Sequence, residues 1–254
     1  MKLPTWLWII LALIAYALFV FANTPAVYVS NFVNTKSQGE VSILGASGTL
    51  FNGNAMAIEA SGFRVNNVEW SLSPLALLIA RADIELTGGA IRNAEQIYVN
   101  ADARLSLFSP ENFSLQNTQI LVPAKTVLSQ VPLPVAVTAN GRFRVDIETL
   151  SMEPGCTELS GEGAWLNAVV DTPAEPVNLG SFEANLACRE GSLIVDVAPG
   201  NRLNLSASIL IDPQGRYEAS GQFKPDANLP EVIQQAVQFF PFEQNEQGFY
   251  LIDL

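Results

Sequence analysis

Period-two alternation runs through most of this chain, and it restricts the fold more than any other feature. In "GRFRVDIE" Phe143, Val145 and Ile147 fall on one side, with Arg142, Arg144, Asp146 and Glu148 on the other. In "RLNLSASILID" Leu203, Leu205, Ala207, Ile209 and Ile211 alternate with Arg202, Asn204, Ser206 and Ser208. "SFEANLACR" groups Phe182, Ala184, Leu186 and Cys188, and "ADARLSLF" groups Ala101, Ala103, Leu105 and Leu107. Side chains of a strand alternate between faces, so this pattern predicts antiparallel sheet with one buried and one wet face.

Turn signals part the strands: Gly48, Asn52-Gly53, Gly88-Gly89, Pro199-Gly200 and Asp212-Pro213-Gln214-Gly215. About a dozen strands are expected. Three helical stretches interrupt them, "SPLALLIA", "PAKTVLSQV" and "LPEVIQQAVQFF". Ser73 before Pro74 is a candidate cap for the first. That stretch is too short to cross a bilayer, so Leu75, Leu77 and Leu78 are expected to pack over the sheet. "PAVYVSNFV" reads as a further helix, continuing the segment before it or starting anew at a membrane surface.

That preceding segment, residues 3–22, carries no charge and is almost wholly apolar. As a helix it spans about 30 Å, the thickness of a bilayer core. Pro4 falls in its first turn, Trp6 and Trp8 sit where interfacial aromatics sit, and Lys2 precedes it. A retained anchor with a cytoplasmic N-terminus is the reading. The rival is a cleavable signal peptide with a site at Val20-Phe21-Ala22, but the apolar run reaches that site without a polar region.

The charge balance is acidic, with 25 Asp and Glu against 13 Lys and Arg, a net −12. Such a surface repels phosphate, and no nucleic acid partner is expected. Histidine is absent. That removes the commonest general base and transition-metal ligand, and every Ser-His-Asp or Cys-His arrangement. Neither a nucleophile elbow, a zinc-protease helix motif nor a phosphate loop is present. No catalytic, cofactor-binding or metal residue is therefore nominated, no cofactor is expected, and the chain reads as a non-enzyme. In a cytosolic protein Cys156 and Cys188 would be free thiols; in an exported body they pair as a disulfide.

The chain also repeats. "VPAKTVLSQVPLPVAVTANGRFRVDI" and "LPEVIQQAVQFFPFEQNEQGFYLIDL" align without a gap. Pro123 meets Pro230, Pro134 meets Pro241, Gly141 meets Gly248, Phe143 meets Tyr250 and Asp146 meets Asp253. The expected organisation is an anchor at 1–22, a membrane-proximal segment at 23–37, and two related β halves at 38–150 and 151–254. The fold class is mainly β: one transmembrane helix, then a large curved antiparallel sheet or sandwich with a few short helices.

"GTLFNG" at 48–53, "VEWSLSPLALL" at 68–78, "GEGAWLNA" at 161–168 with Trp165, the cysteine pair and the closing Pro-rich helix together resemble the type II secretion system protein N family. The likeness covers nearly the whole chain. Phe51 stands where the family usually has Trp. The resemblance implies a bacterial inner-membrane protein with a periplasmic body, working beside other inner-membrane and periplasmic subunits of the machine that exports proteins across the outer membrane. The family is also distantly similar to AsmA/TamB-type proteins, whose curved sheets form apolar grooves for lipid.

Phe51, Trp70 and Trp165 are candidate packing or interaction residues, with packing the commoner role for Trp in alternating strands. Hairpin geometry accounts for Gly48 and Gly53. Pro132, Leu133 and Pro134 read as a stiff connector. The leading function is structural support of secretion-complex assembly, and the alternative is a lipid-handling groove. A continuous apolar groove floored by small residues would favour the second; a filled core would favour the first.

Overall fold

The computed structural model of the chain describes residues 6, 12–13, 16, 19–21, 23–130, 138–172, 175–237 and 242–253. The anchor expected at 1–22 and the Pro-rich connector at 132–134 lie largely or wholly outside them. Among the described residues no helix is long and apolar enough to cross a membrane.

The body is one 14-stranded antiparallel sheet. Its strands are β1 (Val41–Leu44), β2 (Ser47–Gly48), β3 (Asn52–Ala60), β4 (Phe63–Leu72), β5 (Arg81–Gly88), β6 (Tyr98–Ser106) and β7 (Phe113–Pro123). Then come β8 (Ala139–Met152), β9 (Cys156–Val170), β10 (Val177–Arg189), β11 (Ser192–Val197), β12 (Ser206–Ile211), β13 (Tyr217–Phe223) and β14 (Tyr250–Asp253). From β3 to β14 each strand pairs with its sequence neighbour; β1 lies outside β3, and β2 pairs with β3 off this path. The sheet stays open, with β1 and β14 at its edges, so the sandwich alternative does not hold. A meander needs only connections between neighbouring strands, and here they range from two-residue turns to the long 224–249 segment before β14.

Two of those connections are two-residue turns. Ser61-Gly62 joins β3 to β4, and Glu190-Gly191 joins β10 to β11; all four residues have positive φ. That is the mirror-image turn whose twist matches a hairpin, and Gly at its second position carries no steric penalty. Neither pair was among the expected turn signals. Asn52-Gly53, which was, lies at the start of β3, and the turn itself is 49–52.

Helix α1 (Ala26–Lys36) starts after Pro25 and lies on the edge strand β1, where Asn34 Oδ1 accepts the Ile43 N–H at 2.8 Å. An edge strand with open backbone groups is thereby covered. Helix α2 (Pro74–Leu77) is a single turn in the "SPLALLIA" stretch. Ser73 makes no side-chain cap; its N–H donates to Asp83 O at 2.9 Å instead. Only Ala76 of this turn is buried, while Leu75 and Leu78 stand 75% and 77% exposed. The expected packing over the sheet therefore fails for Leu75 and Leu78, while Leu77 is half-buried. The turn lies past the last β4–β5 pair, Leu72 with Ile84, so only its inner side meets the sheet. Helices α3 (Ala124–Leu128) and α4 (Glu231–Val237) occupy the other two expected places.

A compact core forms where α4 meets the sheet. Ala168, Val177, Leu179, Phe182 and Leu229 are buried together, with Trp165, Leu205, Val232 and Ile233 packed on them. Elsewhere the apolar face is only partly covered, and the largest fully buried side chains among the described residues are Ile194 and Val68.

Candidate functional site

Two structures stand out: a socket at the start of the sheet and a groove across its later strands. The socket is built by 48–53, "GTLFNG". Gly48 pairs with Gly53, and Thr49 N–H donates to Asn52 O at 2.9 Å, so Leu50 and Phe51 form the hairpin tip. Leu50 uses both backbone groups: its N–H donates to Thr24 O at 2.9 Å, and its C=O accepts Trp70 Nε1–H at 3.1 Å. Phe51 is buried, its ring meets that of Phe21 edge-on at 5.4 Å, and its C=O accepts the Leu72 N–H at 2.7 Å. A Cβ on Gly53 would come within 2.3 Å of the Trp70 ring, so the ring packs on bare backbone there. The motif thus ties the end of the apolar segment to the first strands, and Phe51 and Trp70 are parts of one joint.

The groove follows from register. Phe143, Trp165 and Phe182 face one another on β8, β9 and β10, with centroids 5.4 and 5.5 Å apart and rings stacked. Stacked aromatic pairs add about 0.5–1.5 kcal/mol each beyond their buried area. The next row towards the Cys156 end is small: Val145, Gly163, Ala184, Val197 and Ala207. The row after it is taller on either side of Gly161, with Ile147 on β8 and Leu186, Val195 and Ile209 on β10 to β12. Tall rows flanking a low row leave a hollow of about 490 Å³, lined almost wholly by carbon. A Cβ on Gly163 would meet nothing closer than 3.7 Å, so its missing side chain leaves space that neighbours do not fill.

Cys156 and Cys188 form a disulfide at the Leu193 end of the groove, with Cα atoms 5.4 Å apart. It ties β9 to β10, and Cys156 N–H also donates to Gly191 O at 2.8 Å. At the opposite end Arg142 reaches across β7 to the 89–97 connection, donating to Ile91 O at 2.8 Å and Gln96 O at 3.2 Å. Desolvation holds its guanidinium below the ordinary value. The acids of β8 and its neighbours lie on the other face in polar contacts. Arg144 Nε meets Asp146 Oδ2 at 2.8 Å, and Gln119 Nε2 donates to its Oδ1 at 2.7 Å.

The type II secretion system protein N family model matches residues 39–253, which include the socket and the groove. The chain belongs to that family. It is 25% identical over 214 residues to the type II secretion system protein N of Vibrio cholerae, covering 82% of this chain and 81% of the relative. It is 26% identical over 233 residues to the protein of that name from Aeromonas hydrophila, covering 90% and 89%. For the Pectobacterium carotovorum protein the figures are 24% over 237 residues, 92% and 90%. No solved structure matches the chain. Family membership makes this a type II secretion component.

Of the nominated residues, Phe51 and Trp70 come together at the socket, and Trp165 sits far along the sheet in the groove. Trp165 Nε1–H donates to Asn140 O at 3.2 Å. Sequence reading grouped the groove residues strand by strand but could not align them into rows. It also missed the Phe21–Phe51 contact, because nothing local in a sequence pairs positions that far apart.

Proposed function

We propose that this chain is a single-pass, non-enzymatic inner-membrane subunit of the type II secretion machine that supports its assembly. In this reading residues 1–22 are the anchor with the N-terminus in the cytoplasm. Residues 23–37 lie at the membrane surface and the sheet stands in the periplasm. The socket carries the proposal: a family motif spends its backbone groups and its one buried ring on holding the end of an apolar segment. A subunit that works by tethered contact needs such a joint; a free hydrolase does not. Partners are other inner-membrane and periplasmic subunits, and membrane lipid through the anchor. Phe51, Trp70 and Trp165 act through packing.

The body is proposed to be two related halves, 38–150 and 151–254. Gly141 and Gly248 both take positive φ, and the aligned Phe143 and Tyr250 each start a cross-strand ring stack, on Trp165 and Phe223 respectively.

A second reading, lipid handling, is favoured by the groove with its low row at Gly163, Ala184 and Ala207. One experiment separates the two. A photo-crosslinking residue is placed at Val195 in the groove and, separately, at Glu162 on the opposite face, in cells carrying the full machine. Support of assembly predicts protein adducts with other secretion subunits from Glu162. Phospholipid adducts from Val195, with none to protein from either position, would replace the first reading by the second.

A further inference from the structure

One end of the sheet carries an apolar patch that neither the fold nor the groove uses. Helix α2 and the residues after it present Leu75, Leu78 and Ile79 to solvent, and the β6–β7 connection presents Leu107 and Phe108. Phe108 is 87% exposed. The two segments are joined by the Leu107 N–H, which donates to Ala80 O at 3.0 Å. No charge occurs from Leu72 to Ala80, and Glu111 is the one acid of the β6–β7 connection. Large exposed apolar side chains gathered in one place mark an interaction surface.

Position identifies the partner. In this antiparallel sheet the start of β3, the end of β4, the start of β5 and the end of β6 share one end. The apolar segment joins that same end: Phe21 sits on Phe51, whose C=O takes the N–H of Leu72 immediately before Ser73 and α2. Strands are spaced about 4.8 Å apart, so the patch begins within roughly one or two spacings of the joint. The other connections at this end differ. Glu153 lies between β8 and β9, Glu190 between β10 and β11, and Asp212 and Arg216 between β12 and β13. Tyr217 at the start of β13 is the exception at 66% exposure; the other large exposed apolar side chains at this end lie on the strands next to the joint, where a bilayer surface would lie.

We propose that Leu75, Leu78, Ile79, Leu107 and Phe108 insert into the outer surface of the same bilayer that holds the N-terminal segment. They give the sheet a second point of contact and fix its tilt. The proposal rests on the anchor reading above. Burying an apolar face shallowly in the headgroup boundary is favourable in proportion to the area removed from water.

The test uses the full chain in vesicles of phosphatidylethanolamine and phosphatidylglycerol carrying nitroxide-labelled acyl chains. Single cysteines replace Phe19, Leu78, Phe108 or Gln214, with the native disulfide left intact, and carry an environment-sensitive fluorophore. The expected result is a blue shift and a loss of fluorescence at positions 78 and 108 comparable to that at 19, with neither change at 214. Quenching at 19 with 78 and 108 behaving like 214 overturns the patch and leaves the anchor standing; such a patch would then serve a protein partner. Quenching at 78 and 108 without quenching at 19 leaves the patch as a membrane contact but overturns the anchor, and with it the claim of a second point of contact. Water-like emission at all four positions overturns both.

Discussion

The two parts of the sheet fill the same alternating pattern with side chains of different height. On β3 to β6 the short inward residues Ala55, Ala57, Val68, Ala82 and Ala101 are all buried, Ala57 completely, while the longer Trp70, Leu72, Ile84 and Leu86 on the same face stay half-buried. On β8 to β12 the inward positions carry Phe143, Val145, Ile147, Trp165, Leu186 and Val195, and most stay half-buried. A methyl group lies low between taller neighbours and is hidden by the sheet itself. A ring or a branched chain stands above the sheet and needs a facing layer to be covered. Helix α4 supplies that layer only near Phe182, so the later strands keep an open groove, while the earlier strands hide their short residues between half-buried taller ones. Alternation alone fixes which face is apolar, and side-chain height decides whether that face is a core or a binding surface.

This contrast can be broken by mutation. The largest effect is expected at Phe182, the ring buried under α4: Phe182→Ala should cost about 3–5 kcal/mol in denaturant titration. The half-buried Phe143, with the same chemistry, should cost distinctly less, and equal losses would mean the groove is filled in solution. Removing the disulfide should come next. Cys156→Ser is expected to cost about 2–4 kcal/mol, with little added by Cys188→Ser in the double variant.

Enlarging a small residue sharpens the comparison further. Ala57→Leu has no space to enter and should cost about 1–3 kcal/mol. Ala184→Leu projects into the groove and should stay within about 0.5 kcal/mol in the same titration. If the two substitutions cost alike, the low row is not open.

The smallest effect concerns the turn between β12 and β13. Desolvation, the largest single influence, raises the Asp212 carboxyl, but the Arg216 N–H, the Arg216 guanidinium and the Gln214 N–H together outweigh it, so its pKa lies below the ordinary aspartate value. A carboxyl whose folded pKa is lowered contributes stability above its unfolded pKa, and that contribution disappears as pH falls through the folded value. The stability curves of the parent and Asp212→Asn should therefore differ slightly at neutral pH and converge as pH falls below the ordinary aspartate range and through the lowered folded value. A gap that persists in acid would assign the turn's stability to something other than this charge.

Much of this was legible in the residues. The faces of "GRFRVDIE", "SFEANLACR" and "RLNLSASILID" are the faces the sheet uses, because a strand's side-chain period is set by backbone geometry within each residue pair. The places of α2, α3 and α4 and the pairing of Cys156 with Cys188 were legible for similar reasons: turn chemistry and redox chemistry are local. The Ser73 cap was not: the side-chain hydroxyl makes no cap bond to this single helical turn. The packing of Leu75 and Leu78 was not either, since their exposure depends on how far the strands beneath them extend.

The sequence by itself determined that the body is antiparallel sheet, which side of each strand is apolar, and that no histidine chemistry is available. Only the tertiary structure decided the rest. Register aligned Phe143 with Trp165 and Phe182, and set Gly163 beside Ala184 and Val197, making a low row between tall ones. The hairpin at 49–52 brought Phe51 under Phe21 and within reach of Leu72. Shared strand ends put Leu78 and Phe108 on one surface. Each of these is a contact between residues distant in the chain, and a period of two says nothing about how far one strand slides against the next.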